Sequence, residues 1–559
     1  MTEEHNQKPP SARLTFQGRG GPPSALLGLA YWYPDDQGKL RLRLRWRRCL
    51  TTLALLCLAG WLMLATAAWW FVTSVRHVPD VSFLDIALPH RWTVYQKKRG
   101  DAYIAMAEEA MEQKRYRAAF QLLRIGIARS PGNLQGRLLL AGFYEAHGRI
   151  DLASETLEGG LNQAEVPPDY VTRYLQLLLN YRQDERLIDA ARRWLPALAP
   201  EDPKHAILSL GAAQAAFLRG KYDLAETFLA GIDNAHTPDV RIIRARIAWD
   251  RGDAETAIAT LRALTREAPD LHFPHQLLVT YLRELGRTEE ADALVAERAA
   301  NFPGDPAAQK ALLALYASQD EPRRLENAVR ANLERLPQHP ALFYVLADLA
   351  SKRGDVPLAE RLRRTLPLPG LPEGIGELVE LEARLAGGEY ARILEAVEAL
   401  QKENPAFLTT HRSALFALTI IARFGVGDLE EAEALLGEFI HQAGNRPDIL
   451  LALADRLDAA GYSEAAIRTL TAAAAALPED ETILARLIEA RLDLGTADDL
   501  PALTGKLLQM RQSPVSLLRR IRRVLAGDTY LYAPGRRALL EQLDSEIARR
   551  PGPGVSHAR

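Results

Sequence analysis

PDVRIIRARIAWDRGDAETAIATLRALTREAPDLHFPHQLLVTYLRELGRTEEADALVAERAANFP, residues 238–303, holds the same sentence written twice. Gly252 and Gly286 stand 34 residues apart, Ala257 and Ala291 each follow five residues later, and Pro269 and Pro303 each follow at seventeen. Between these marks apolar residues recur at three- and four-residue spacing, the period of a helix with one buried face. Each mark has a physical cause. Glycine accepts the left-handed turn that closes a helix. Alanine fits where two helices cross closely. Proline ends one helix and can open the next, because it has no amide to donate inside a helix.

Outward from this pair the glycines run on: Gly148, Gly220, Gly252, Gly286, Gly354, Gly388, Gly427, Gly461 and Gly495. With three non-glycine breaks at Lys114, Gln183 and Asp320 the ladder is complete, in steps of 32 to 39 residues, most of them 34. The alanine mark recurs at Ala119, Ala153, Ala225, Ala359, Ala432 and Ala466, and the proline mark at Pro131, Pro200, Pro337, Pro405 and Pro478. A fixed period of this length means stacked supersecondary units. The Pro/Gly-rich LPLPGLPEGIG (366–376) and the long step to Gly427 imply a bend near 366–430.

Period, marker phase and aromatic positions resemble the tetratricopeptide repeat (TPR) family over residues 100–510. The resemblance implies an all-α fold, a TPR-type α-solenoid superhelix of about 11–12 helical hairpins. It further implies that the first helix of each hairpin lines a concave groove. Inward positions then lie about ten, six and three residues before each break. They give Glu108 in the first unit; Ile242, Arg246 and Trp249 in the 252 unit; Gln276 and Arg283 in the 286 unit; and Tyr344 and Asp348 in the 354 unit. Trp249 between Arg246 and Arg283 reads as an anchor for a peptide or acidic ligand, since Trp and Arg concentrate binding energy. The competing reading packs Trp249 between helices with both arginines solvated.

A different pattern precedes the repeats. Residues 50–75, LTTLALLCLAGWLMLATAAWWFVTSV, carry no charge. That is long enough for one transmembrane helix, here assigned to 49–75, with Trp69, Trp70 and Phe71 where an aromatic belt would lie. Six cations crowd its N-terminal side, Lys39, Arg41, Arg43, Arg45, Arg47 and Arg48, against Arg76 on the other. The positive-inside rule then gives a single pass through the cytoplasmic membrane, N-terminus in the cytosol and repeats outside. Residues 1–48 read as a basic, mostly disordered tail, with LRLRLRWRR (40–48) facing lipid headgroups rather than joining a sheet. Residues 76–99 read as a linker and 511–559 as a C-terminal helical cap with a disordered end.

Composition narrows the function. The 559 residues carry a net charge of -2, but residues 1–48 and 515–559 hold +5 each, which leaves -12 for the body between. A nucleic-acid binder would concentrate cations on its folded face. Two cysteines, Cys49 and Cys57, exclude a disulfide framework or a zinc ribbon. No phosphate loop, HExxH or GxSxG motif occurs, so the chain reads as no enzyme, with no cofactor and no metal. His272 and His275 are separated by Pro274 and read as surface loop. The expected role is a membrane-anchored scaffold binding partner proteins or peptides in envelope assembly. An exopolysaccharide synthesis or export component binding glycan is the alternative.

Overall fold

The computed structural model describes residues 24–25, 29–34, 40–75, 80–163, 165–232, 237–403, 405–444, 446–495, 499–510 and 514–549. Most of the tail, residues 76–79 of the linker and the end after 549 lie outside these. The chain divides into two compact units, Met1–Phe143 and Tyr144–Arg559.

The first unit opens on a short antiparallel ladder. Ala30–Pro34 pairs with Leu40–Leu44, Tyr31 opposite Arg43, and Ser24–Ala25 pairs with Ala30–Tyr31. The alternating LRLRL is therefore a strand, contrary to the lipid-facing expectation: period-two alternation needs only one adjacent strand to be satisfied. Next comes the apolar helix Trp46–Trp70, whose last turn widens at Phe71–Val75. It is 30 residues long with a mean hydropathy of 2.0, and 6% of its apolar window is buried. A short helix, Phe83–Ala87, and one turn at Pro89–Arg91 lead into Trp92–Glu112. This helix begins at Trp92, so Gly100 lies inside it rather than at its start. That helix crosses Tyr116–Arg129 so closely that a Cβ at Gly100 would lie 2.7 Å from the Gly126 carbonyl oxygen.

The second unit is a run of helical hairpins. Each turn glycine of the ladder from Gly148 to Gly495 has a positive φ, between 64° and 87°. Lys114 (58°) and Asp320 (53°) adopt the same conformation without being glycine. The third break is Arg182, at 54°, rather than its neighbour Gln183. At the breaks before Gly495 the residue after the turn reaches back to the carbonyl five positions earlier: Gln183 to Leu178 at 2.8 Å, Asp253 to Ala248 at 2.9 Å, Tyr462 to Leu457 at 2.9 Å. This satisfies carbonyls that the helix end would leave orphaned.

All eight marker alanines are fully buried, at 0% exposure. Leucines close each crossing, among them Leu157, Leu229 and Leu261, also at 0%. At about 25 cal/mol per Å² such burial is the main stabilising term of each hairpin. In the irregular stretch, Leu366, Leu368, Leu371 and Ile375 pack against the core under Leu342–Arg353. The long step to Gly427 is taken up by a 22-residue helix, Pro405–Val426, with a kink at His411 (φ -111°, ψ 20°).

Candidate partner-binding surface

The inward positions do not share one environment. Ile242 and Trp249, on Pro238–Asp250, are core residues at 7% and 8% exposure. The Trp249 indole stacks on Tyr281 of the following first helix, centroids 3.9 Å apart and planes within 3°. Its aromatic surface is used up inside the stack. Glu108 is half-buried in the first unit and accepts a hydrogen bond from Gln135 at 3.3 Å.

The others reach solvent. Arg246 lies over the buried Phe217 ring, 4.3 Å from its centroid, and 5.7 Å from Phe273, which is 43% exposed. Phe273, Gln276, Thr280 and Arg283 form one exposed edge of His272–Glu284, at spacings that repeat with the helix. Arg283 donates to Asp292 at 3.0 Å, and Gln319 donates to the other oxygen of that carboxylate at 2.8 Å. Tyr344 is 49% exposed and meets Phe343 edge-on. Asp348 lies 3.1 Å from Lys310 and 3.0 Å from Lys352. Burial opposes its ionisation, yet hydrogen bonds from both lysines hold it below the usual carboxylate range.

Charge pairs continue across successive first helices. Glu382 accepts from Ser351 at 3.2 Å and is bridged by Arg456, two hairpins further on. Lys310 and Glu382 were not singled out from the sequence, although they stand ten before Asp320 and six before Gly388. The same counting rule, carried to every unit, finds both.

One further cluster joins distant repeats. Asp184, at 0% exposure, has Arg182 at 3.3 Å and Arg219 Nε at 3.1 Å, while its second oxygen has no hydrogen-bond donor. Arg219 also bridges Glu479, and Arg182 lies 3.9 Å from Asp480. Counted along the ladder, these acids lie at the junction of the Gly461 and Gly495 hairpins, seven to nine repeats after Arg182 and Arg219. Tyr181 packs beside them against the core formed by Ile420, Phe439 and Leu450. Burial pushes the Asp184 carboxyl above its usual range against the pull of both arginines.

Among the described residues no cluster of His, Cys, Asp and Glu could hold a metal ion. His275 is helical and buried, its Nε2 3.1 Å from the Leu294 carbonyl, and burial lowers its pKa. The C-terminal arginines project from Val515–Leu525; Arg520 pairs with Asp493 at 2.5 Å and Arg522 with Asp544.

Residues 110–172 match a family model described as tetratricopeptide repeat. Residues 110–172 are thus tetratricopeptide repeat. No curated protein matches the sequence. Among solved structures, the chain is similar to one of Naa15/Naa10 bound to HypK-THB, at 14% identity and a TM-score of 0.27, covering 88% of this chain and 79% of that one. A second is the APC/C hetero-tetramer Cut9-Hcn1, at 13% identity and a TM-score of 0.22, covering 80% and 96%. Repeats of this kind suggest a protein–protein interaction scaffold.

Proposed function

We propose that the chain is a membrane-anchored scaffold. Trp46–Val75 holds it in a cytoplasmic membrane with the basic tail inside, and the tetratricopeptide array captures an extended segment of a partner protein during envelope assembly. One observation carries this reading: solvent-reaching side chains on the first helices Pro238–Asp250, His272–Glu284 and Leu342–Arg353 combine aromatic, amide and charged groups, namely Arg246, Phe273, Gln276, Arg283, Tyr344 and Asp348. Half-exposed aromatics beside arginine are the side chains that concentrate binding energy. The glycan alternative loses support because Trp249, its best stacking platform, is covered by Tyr281.

The test is capture of cross-linked partners by the full-length chain carrying Phe273→Ala, Gln276→Ala and Tyr344→Ala. All three side chains are exposed, so the fold is retained. Loss of captured proteins supports these side chains as the binding face, and an unchanged set refutes this. A periplasmic reporter fused after Arg559 should be active, and inactivity there overturns the orientation.

A further inference from the structure

The residues after the apolar helix fold back along it. Trp69 Nε1 donates to the Val81 carbonyl at 3.0 Å, and Trp61 Nε1 to the Ala87 carbonyl at 2.7 Å. Trp92 Nε1 donates to Ile86 at 2.9 Å, and its ring lies 6.2 Å from that of Trp61. The chain therefore descends from Val81 to Ala87 beside the segment Trp69–Trp61. It turns at Pro89–Arg91 and climbs again with Trp92–Glu112. An elbow, residues 81–96, lies against the middle and upper part of the apolar helix.

Depth follows from helix geometry. At 1.5 Å per residue Trp61 stands about 20 Å from Arg48, and a ~30 Å hydrocarbon core that starts at Arg48 ends near Ala68. The tip of the elbow, where Trp92 meets Trp61, is thus inside the core. Lys97, Lys98 and Arg99 stand at its rim.

We propose that this elbow is inserted in the bilayer leaflet nearest the repeats, with lipid acyl chains as its partner. The inference rests on reading Trp46–Val75 as a membrane span. Three features support it. The first is backbone satisfaction. Irregular backbone survives at membrane depth only when its polar groups have partners. Here three indoles cap three carbonyls of the turn region, and each indole loses its own unmet donor in the same bond. The second is charge. Asp85, at 0% exposure, is held by Lys98 at 2.8 Å and Arg91 at 3.6 Å, the pairing that intramembrane charges require. The third is the outer surface. Leu84 (50% exposed), Trp92 (48%) and Val94 (39%) face outward, continuing the apolar surface of Leu64 (68%) and Trp70 (59%). His90, Thr93 and Gln96 are exposed beside them, and it is the contiguity of the apolar side chains with the apolar helix that marks a membrane contact. Between helix and elbow lies a cleft of about 400 Å³, lined by Trp61, Leu64, Ala68, Ile86, Trp92 and Tyr95 with Gln96 as its polar member, wide enough to take an acyl chain.

The test uses the full-length chain with Cys49→Ser and Cys57→Ser, carrying one new cysteine at a time and reconstituted in vesicles of phosphatidylcholine and phosphatidylglycerol. Leu84→Cys and Val94→Cys report the elbow, Met63→Cys the span, and Tyr532→Cys (93% exposed) bulk solvent. Each thiol carries a polarity-sensitive fluorophore, quenched either by spin-labelled acyl chains or by aqueous iodide. The proposal expects positions 84 and 94 to behave as 63 does: blue-shifted, quenched several-fold more by the acyl label than 532, and shielded from iodide. Iodide quenching at 84 and 94 with lipid quenching at 63 overturns the elbow alone. Shielding from both quenchers means that a protein surface covers it, and also overturns it. Iodide quenching at 63 as well overturns the span itself.

Discussion

Arg219→Ala tests whether distant repeats are tied together. The substitution removes a guanidinium that is 8% exposed and 3.1 Å from a carboxylate at 0% exposure. Breaking a buried pair by deleting one partner costs about 3–5 kcal/mol, because the remaining charge stays buried. Asp184 keeps Arg182 at 3.3 Å, so the lower end applies, about 3 kcal/mol. At 1.4 kcal/mol per tenfold, the local opening constant should rise about a hundredfold. A repeat array does not unfold in one step, so the proper assay is amide hydrogen exchange read by segment. Exchange should accelerate around 181–187 and, through the lost Glu479 contact, around 477–484, some 260 residues away in sequence. Asp184→Asn added to Arg219→Ala should restore most of the protection at 181–187, since a neutral amide needs no counter-charge. Unchanged exchange at 477–484 in Arg219→Ala would refute the tie. No recovery in the double variant would refute the buried charge as the cause.

Trp249→Ala should cost about 3–5 kcal/mol in local opening read by hydrogen exchange over 238–284, the range for emptying a large aromatic site, with Tyr281 losing its stacking partner. A loss under 1 kcal/mol would return Trp249 to the surface. Gly461→Ala should cost about 1 kcal/mol from its φ of 87° alone, because nothing lies within 4 Å of the added methyl. Gly425→Ala, in a helix, should cost about 2–3 kcal/mol by overlap with the Tyr390 ring, and equal losses would contradict this ordering. The raised Asp184 carboxyl binds its proton more tightly folded than unfolded, so its contribution to stability is greatest in acid. That contribution is lost as pH rises from the ordinary value of 3.8 through the raised one. Urea midpoints measured across that window should flatten in Asp184→Asn, and an unchanged slope would assign it to another group.

The hairpins were legible because one residue per repeat must take a left-handed turn and another must be small. Both demands leave a chemical mark, glycine or alanine, at a fixed phase. Arg182 shows the limit: a turn held by a non-glycine residue carries no such mark, and the phase slipped by one onto Gln183. Trp249 shows another. Counting from the glycine finds the helix face, but whether the face is open depends on the neighbouring helix, and Tyr281 closes it. The tie at Asp184 was invisible, because it depends on small rotations accumulated over seven to nine repeats. The tryptophans of the apolar helix read as a belt, and only the fold reveals which carbonyls they cap.

Trp92–Glu112 has a further consequence. Its 21 residues, about 30 Å of unbroken helix, begin against Trp61 and end in the first turn of the repeats. No joint interrupts it, since Gly100 is clamped under Ser130 and Gly126. A tilt of the apolar helix that moves Trp61 against Trp92 therefore reaches the first hairpin along one continuous helix.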